Sequence, residues 1–312
     1  MNTAKKIFQS LKKAGGQFAT DNAIKLSASL SYYTIFALAP LLILIISLVG
    51  LFLGTDAVRG KIYGEINDVV GNAAALQIQE IIQNIRATKH TVAGAIVGFI
   101  ALLIGATGVF TEIQDSINFI WSILAKPKKG WLKLLKNRLL SFSLIVSLGF
   151  LLLVSLMVNA MMDVLSEYFR VFFVDATVYI FYALNLAMIF AVITCLFAVI
   201  FKVLPDATIR WKDAFVGASL TAILFIIGKF LISFYLGRSN IGVTYGTAAS
   251  VIIILLWVYY SSIILYFGAE FTHVYALNYG GGVIPDDTAV FIIKQEVREV
   301  KGLEKSDIRS PI

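Results

Sequence analysis

Six stretches of the chain are apolar over more than twenty residues each, and polar or charged segments separate them. A helix of about 20 apolar residues crosses a hydrocarbon core about 30 Å thick. Lipid offers no hydrogen-bond partner to the backbone, so a spanning segment must satisfy its own peptide groups, as a helix does. The pattern therefore predicts an all-α fold, a polytopic membrane bundle of six transmembrane helices at 30–53, 91–111, 139–161, 177–201, 214–236 and 248–269.

The composition agrees with this class. Hydrophobic residues make up 59% of the 312 residues and charged residues 14%, against about 25% charged in a typical soluble domain. The net charge of +7 is typical of basic loops on the cytoplasmic side of a membrane, and we prefer that interpretation to nucleic-acid binding. The single cysteine, Cys195, excludes an intrachain disulfide and a paired-cysteine metal site.

Basic residues also predict the topology. Nineteen of the 26 lysines and arginines fall in the N-terminal segment, the second-to-third and fourth-to-fifth connections and the tail, and six fall in the other connections. Cytoplasmic loops carry the excess of lysine and arginine, so both termini are expected in the cytoplasm. The remaining basic residue, Lys229, lies inside the fifth apolar stretch.

The segments outside the spans have patterns of their own. The N-terminal segment is basic and amphipathic and lacks the apolar core of a signal peptide, which predicts a cytoplasmic surface helix. Segment 55–90 predicts an amphipathic helix that either packs on the outer face of the bundle or lies in the outer membrane–water interface. We expect 1–275 to form one six-span domain that includes this segment. Residues 276–312 are expected to form a partly disordered cytoplasmic tail, with a short helix that begins at Asp286 or Asp287.

The second span carries a stripe of small residues that ends in two acids. The stripe consists of Gly94, Gly98, Ala101, Gly105 and Gly108, which share one helix face and allow a second helix to approach closely. Glu112 and Asp115 continue the same face at the cytoplasmic end. They either lie at the membrane interface, solvated or paired with a base, or belong to a polar cavity that opens to the cytoplasm.

Polar residues also mark the first and sixth spans. In the first, Ser29 and Tyr33 precede Pro40, which predicts a kink near Phe36. This kink is either structural or the hydroxyl-lined wall of a cavity. In the sixth, one face carries polar side chains that either form structural pairs or line a cavity: Tyr259, Ser262, Tyr266, Glu270 and His273.

Lys229 lies in the fifth span, about 10 Å from its outer end. A lysine at that depth can extend its ammonium group to the interface. If it faces inward instead, it needs an anion, either a carboxylate or a bound headgroup.

Four motifs, in order, resemble the YihY/BrkB family of bacterial inner-membrane proteins: "LSYYTIFALAPLL", "SINFIW", "LPDATIRWKDAFVGA" and "YGTAASVIIILLWVYYSSIILYFGAEF". The resemblance covers about residues 20–275, and Ser31 and Ala37 are small departures from the usual pattern. The positions that match the family are Tyr32, Tyr33, Pro40, Asn118, Trp121, Pro205, Trp211, Gly217, Lys229, Tyr235, Tyr245, Gly246, Trp257, Gly268 and Glu270.

The resemblance implies a role in the envelope, with links to serum resistance and to export of lipid or lipopolysaccharide. It also carries an older label, ribonuclease BN, which the residues oppose. A metal-dependent nuclease needs a cluster of His, Asp and Glu ligands, and the two histidines, His90 and His273, are far apart in sequence. No enzyme activity is expected, and neither a cofactor nor a metal is predicted.

The expected function is a transporter or flippase-like exporter of an amphipathic, anionic envelope molecule, and the alternative is a non-transporting envelope scaffold or regulator. The expected partners are membrane lipids, with an anionic lipid or envelope precursor as substrate and no nucleic acid. A homo-oligomer is an alternative use of the small-residue stripe. The candidate residues for a substrate cavity are Ser29, Tyr33, Pro40, Glu112, Asp115, Asn118, Lys229, Tyr245, Tyr259, Ser262, Tyr266 and Glu270.

Overall fold

A computed structural model describes residues 3–53, 72, 75–77, 79, 92–126, 174–238, 244–245 and 248–292. Six long helices lie in these ranges: α1 (Thr3–Thr20), α2 (Ala23–Leu53), α3 (Val92–Ile120), α4 (Val174–Val203), α5 (Trp211–Arg238) and α6 (Ala249–Tyr279). Two of them end where a residue adopts a left-handed backbone, since Asn22 (φ 52°) follows α1 and Ser122 (φ 58°) follows α3. At 31 residues, α6 is about 46 Å long, which exceeds the hydrocarbon core of a bilayer.

The helices agree with the predicted class of membrane protein. Five of the six predicted spans fall on α2 to α6, whereas the third, 139–161, lies outside the described residues. Of the predicted outer segment, only residues 72, 75–77 and 79 are described, and all are helical. Among the described residues, three stretches are long and apolar enough to cross a membrane: Leu186–Val203, Trp211–Leu236 and Ala249–Tyr279. The number of six spans and the cytoplasmic termini stay predictions.

Helices α2 and α3 pack closely as an antiparallel pair. A Cβ on Gly105 would lie 3.0 Å from the Cα of Ala37, and one on Gly108 would lie 3.2 Å from the Tyr33 ring. The order of these contacts reverses along the two helices, which makes the pair antiparallel. The described part of the small-residue stripe therefore packs against a neighbouring helix, as predicted.

Helices α5 and α6 form a second antiparallel pair, held by an interlock of glycine and threonine. A Cβ on Gly217 would overlap Thr272, and a Cβ on Gly268 would overlap Thr221. Each threonine hydroxyl donates to the carbonyl of the glycine one turn earlier in its own helix, Thr221 to Gly217 at 2.8 Å and Thr272 to Gly268 at 2.6 Å. The two hydroxyls are therefore satisfied within their helices, and the glycines admit the threonines of the opposite helix.

The N-terminal helix α1 packs along the last turns of α6. Its apolar face places Ala14 against Phe271 and Val274, and Val216 and Leu220 of α5 border the same cluster. The Tyr279 hydroxyl donates to Gln9 Oε1 at 2.6 Å. The amphipathic helix predicted at the N-terminus is therefore present, and its apolar face packs against α5 and α6.

Four short strands, which the sequence pattern did not predict, lie in the described segments that follow α3, α4 and α6. β1 (Ile123–Ala125) pairs antiparallel with β4 (Ala289–Phe291), and β2 (Ala207–Thr208) pairs antiparallel with β3 (Ile284–Pro285). The chain reverses after α6 at Gly282, where φ is +78°. We call this end of the bundle the strand end and the opposite end the far end.

The short helix expected at Asp286 is wrong over the residues that the structure describes. Asp286 begins a tight turn in which the Ala289 N–H donates to the Asp286 carbonyl at 2.8 Å. The chain then enters β4, whose peptide groups bond to β1. Pairing with β1 satisfies this backbone across strands, so a local helix is not needed for it.

Candidate functional site

The polar face of α6 is the centre of the site. Ser262, Tyr266, Glu270 and His273 are all buried, and Glu270 is 0% exposed. Tyr259, the first residue of the predicted face, is half-buried. The face points into the bundle, which the spacing along the helix suggested and burial now establishes.

Helix α3 lies against this face. The hydroxyl of Tyr266 is close to Ser116, and Glu112 is near enough to act on it electrostatically. Glu112 is half-buried, whereas Asp115 is exposed. The two acids, which were predicted to continue one helix face, therefore differ in exposure.

Trp121 fixes the end of α3 on α6. Its indole N–H donates to the carbonyl of Ala269 at 3.1 Å. Its ring stacks on His273, with 6.3 Å between the ring centres and 16° between the planes. Because Ala269 and His273 flank Glu270 on α6, Trp121 also limits movement of the carboxyl-bearing turn.

A reciprocal pair of hydrogen bonds joins α3 to the connection between α4 and α5. Asn118 Nδ2 donates to Asp206 Oδ2 at 2.8 Å, and the Asp206 backbone N–H donates to Asn118 Oδ1 at 2.8 Å. The Asp206 carbonyl accepts a bond from the Asp286 N–H at 3.0 Å, which adds the tail to the same junction. Both Asn118 and Asp206 side chains are buried, where such bonds are stronger than in water.

The start of α5 holds the chain that follows α6. Asp213 lies in the first turn of α5, where a carboxylate interacts favourably with the helix dipole. Its Oδ2 accepts a bond from the Gly281 N–H at 2.8 Å. A Cβ on Gly280 would overlap this carboxylate and one on Gly281 would overlap Arg210, so a larger residue at either position would displace one of these side chains.

The candidate side chains of α2 that the structure describes are less buried than Glu270. Ser29 is half-buried, and Tyr33 is exposed except where its ring meets Gly108. Pro40 lies within the helical range of α2, but its side chain is outside the described residues.

Lys229 and Tyr245 lie toward the far end. Lys229 is half-buried and its Nζ is 5.3 Å from the centre of the Phe230 ring, while Tyr245 is exposed. Gly228 of α5 packs against Tyr260 and Ile264 of α6. Lys229 is the next residue, so it lies beside the same part of α6. Lys229 is twelve positions after Gly217, or about 18 Å along α5. Lys229 and Tyr245 are therefore far from the end of the bundle that holds Glu270.

Several residues that organise the site were missed from the sequence. Asp206, Asp213 and Thr272 were not singled out, and Thr221 was noted only for sharing a helix face with Lys229. One signal was available for the threonines, since "GASLT" at 217–221 and "GAEFT" at 268–272 share the pattern Gly-Ala-x-apolar-Thr. The two copies are the two sides of the interlock.

Comparisons with known proteins place the chain among membrane proteins. The family model described as Virulence factor BrkB matches residues 14–286. A UPF0761 membrane protein of Stenotrophomonas maltophilia (strain R551-3) is 28% identical over 261 residues, which are 81% of this chain and 58% of that protein. A UPF0761 membrane protein of Pseudoalteromonas atlantica is 28% identical over 254 residues, 78% of each chain.

The chain spans about 58% of the length of the first of these relatives. No solved structure matches the chain. The printed names of the relatives describe a membrane protein and give no substrate.

Proposed function

This chain belongs to the BrkB family of membrane proteins, and we propose that it moves an amphipathic molecule with an anionic headgroup across the bacterial inner membrane. The substrate class is an envelope lipid or a lipopolysaccharide-related precursor. In this proposal both termini and the strand end face the cytoplasm. The protein acts without covalent chemistry.

The observation that carries the proposal is the burial of Glu270 within a helix long and apolar enough to span the membrane. A carboxyl group in such a place costs free energy, and groups of this kind commonly serve ion or substrate pathways. The adjacent Tyr266 and the half-buried Glu112 extend the polar group toward α3. We propose that these side chains bind a coupling proton at the strand end.

In this proposal Lys229 makes a second contact with the substrate. It is half-buried on α5, next to Gly228, which packs against Tyr260, and its Nζ is 5.3 Å from the centre of the Phe230 ring. A lysine at this level can attract an anionic headgroup as it approaches the far end. The proposal therefore assigns the proton to the strand end and the headgroup to the lysine.

Proteoliposomes that contain phosphatidylglycerol with a fluorescent headgroup label test the proposal. Dithionite, added outside under an imposed pH gradient, bleaches only the outer leaflet unless the protein moves lipid between leaflets. The wild-type chain is expected to bleach more than the outer-leaflet share. Glu270→Gln, which keeps the shape and removes the titrating group, is expected to slow this by about tenfold or more.

Asp287→Asn is the matched change from carboxylate to amide, because Asp287 is exposed in the turn before β4. It is expected to leave lipid movement unchanged. Equal lipid movement in wild-type and Glu270→Gln vesicles would contradict the role of the buried carboxyl group. Bleaching limited to the outer leaflet with the wild-type chain would reject movement of this lipid.

One observation favours the alternative, a non-transporting envelope scaffold. Many polar groups at the strand end form hydrogen bonds with other protein groups, notably Asn118 with Asp206 and Gly281 with Asp213. Such bonds hold a surface rigid for a partner. Full rescue of an envelope defect by Glu270→Gln, together with no lipid movement by the wild-type chain, would favour the scaffold.

A further inference from the structure

The outward face of α1 combines positive charge with a large exposed aromatic ring. Lys5, Phe8 and Lys12 are spaced by three and four residues, so they share one side of the helix. All three are exposed, and Phe8 is 69% exposed, the highest value among the large apolar side chains described. The opposite face of α1 is the one that packs on α5 and α6.

The same features continue on the neighbouring start of α5. Arg210, Trp211 and Lys212 are all exposed, and Trp211 is 49% exposed. Two contacts bring this segment and α1 to the same end of α6. Lys6 Nζ lies 5.3 Å from the centre of the Tyr279 ring, and Arg210 lies against Gly281 just beyond that tyrosine.

The exposed surface changes character just beyond Trp211. Phe215, one turn further along α5, is exposed with its ring centre 6.0 Å from that of Trp211. The exposed side of α5 continues with Ile223 and Ile227, which are also apolar. The charged residues therefore stand at the border between a polar surface and an apolar one, which is where phospholipid headgroups lie along a spanning helix.

We propose that these residues form a binding surface for the headgroups of acidic phospholipids. We call the surface the basic collar, and it consists of Lys5, Phe8, Lys12, Arg210, Trp211 and Lys212. Lysine and arginine attract the phosphate and the net negative charge of the headgroup. Phe8 and Trp211 enter the interface, where aromatic rings are favoured.

A lipid surface fits these observations better than an acidic peptide does. A peptide needs complementary charge, but it gives no reason for exposed rings that lead onto the apolar side of α5. The apolar face of α1 is already covered by protein, so α1 presents its charged side and Phe8 to the outside. The basic collar does not depend on transport, and it can exist in a scaffold as well.

The test uses the full chain in nanodiscs of phosphatidylcholine with increasing fractions of phosphatidylglycerol. A single environment-sensitive fluorophore is attached through Gly16→Cys in a Cys195→Ser background. Gly16 is exposed, and a Cβ there meets no atom within 4 Å, so the label fits without moving the helix. A spin label at headgroup depth quenches the fluorophore when α1 lies against the lipid.

We expect quenching to increase with the fraction of phosphatidylglycerol. Lys5→Gln and Lys12→Gln are each expected to raise the fraction needed for half-maximal quenching about fivefold, because one lysine near an acidic surface contributes a factor of this size. Arg238→Gln is the matched control, since Arg238 is exposed at the far end of α5 and is expected to have no effect.

Three results would overturn the basic collar. Quenching could be absent at every lipid composition, or equal in pure phosphatidylcholine. It could also be reversed by a soluble oligoglutamate at low concentration, which would identify an acidic peptide as the preferred partner. Phe8→Ser provides a second test that keeps every charge, and it is expected to reduce the maximal quenching.

Discussion

The two helices α5 and α6 pack differently at the two ends of the pair. At the strand end, Gly217 and Gly268 admit the threonines of the opposite helix, and these positions are buried. At the far end, α5 exposes four large side chains, each about 60% exposed: Phe230, Leu231, Phe234 and Tyr235. One end is interlocked, and the other presents apolar surface.

The two ends differ in how closely the helices pack and in the hydrogen bonds that join them. Lipid gives little hydrophobic drive to helix association, so close packing and internal hydrogen bonds must hold helices together. The described structure concentrates both at the strand end, through Asn118, Asp206 and Trp121. The far end exposes apolar side chains of α5, and it carries Lys229.

The largest expected loss of stability follows from Asn118→Ala at the strand end. The change removes two buried hydrogen bonds, one of them to a carboxylate. Alanine has no side-chain donor or acceptor to replace them. We expect the free energy of unfolding in detergent to fall by about 2–4 kcal/mol. Thermal unfolding followed by circular dichroism measures the change.

The matched position at the far end is Ser233. Its hydroxyl is buried and makes no hydrogen bond with the part of the chain that the structure describes. Ser233→Ala is expected to change the free energy of unfolding by less than about 0.5 kcal/mol. Equal destabilisation by the two variants would mean that stability is spread evenly along the bundle.

The second largest effect is expected from Gly217→Ala. The added methyl group would overlap Thr272, so the helices must separate, at a cost of about 1–3 kcal/mol. Adding Thr272→Ala removes the overlap, so the double variant is expected to recover part of the loss. A double variant that is less stable than the sum of the single changes would show that the interlock is not the cause.

The spans could be predicted because a membrane imposes a strong and local rule. Twenty apolar residues identify a candidate spanning helix without knowledge of any neighbour, so α2 to α6 were all found. The bounds of α4 and α5 were close, whereas α2 begins before the predicted span and α3 and α6 end well after theirs. The stripe around Gly105 was found for a similar reason, since small residues on one face indicate close packing. The polar face of α6 followed from the spacing of Tyr266, Glu270 and His273.

The junctions at the strand end could not be predicted from one sequence. Asn118 and Asp206 are 88 positions apart, and nothing local pairs them. The short strands depend on backbone bonds between segments as distant as Ile123 and Phe291, so no periodic pattern marks them. The expected helix at Asp286 failed for this reason, because a local capping signal was weaker than pairing with β1.

Trp121→Phe is expected to have a smaller effect. Phenylalanine keeps a ring beside His273 but loses the hydrogen bond to the Ala269 carbonyl. We expect the free energy of unfolding to fall by about 1 kcal/mol. If this bond positions Glu270, lipid movement in vesicles should slow as well. A loss of stability with lipid movement intact would restrict Trp121 to a structural role.

The smallest expected effect has the opposite sign and comes from Gly15→Ala in α1. A Cβ at Gly15 or Gly16 meets no atom within 4 Å, so neither glycine is required by packing. In the interior of a helix, glycine is less favourable than alanine by up to about 1 kcal/mol. Gly15→Ala should therefore raise the midpoint of thermal unfolding slightly, in contrast to Gly217→Ala. The same substitution at the two positions distinguishes Gly217, which the interlock requires, from Gly15, which lowers the stability of helix α1. A lower midpoint for Gly15→Ala would mean that α1 must bend at this point to stay against α6.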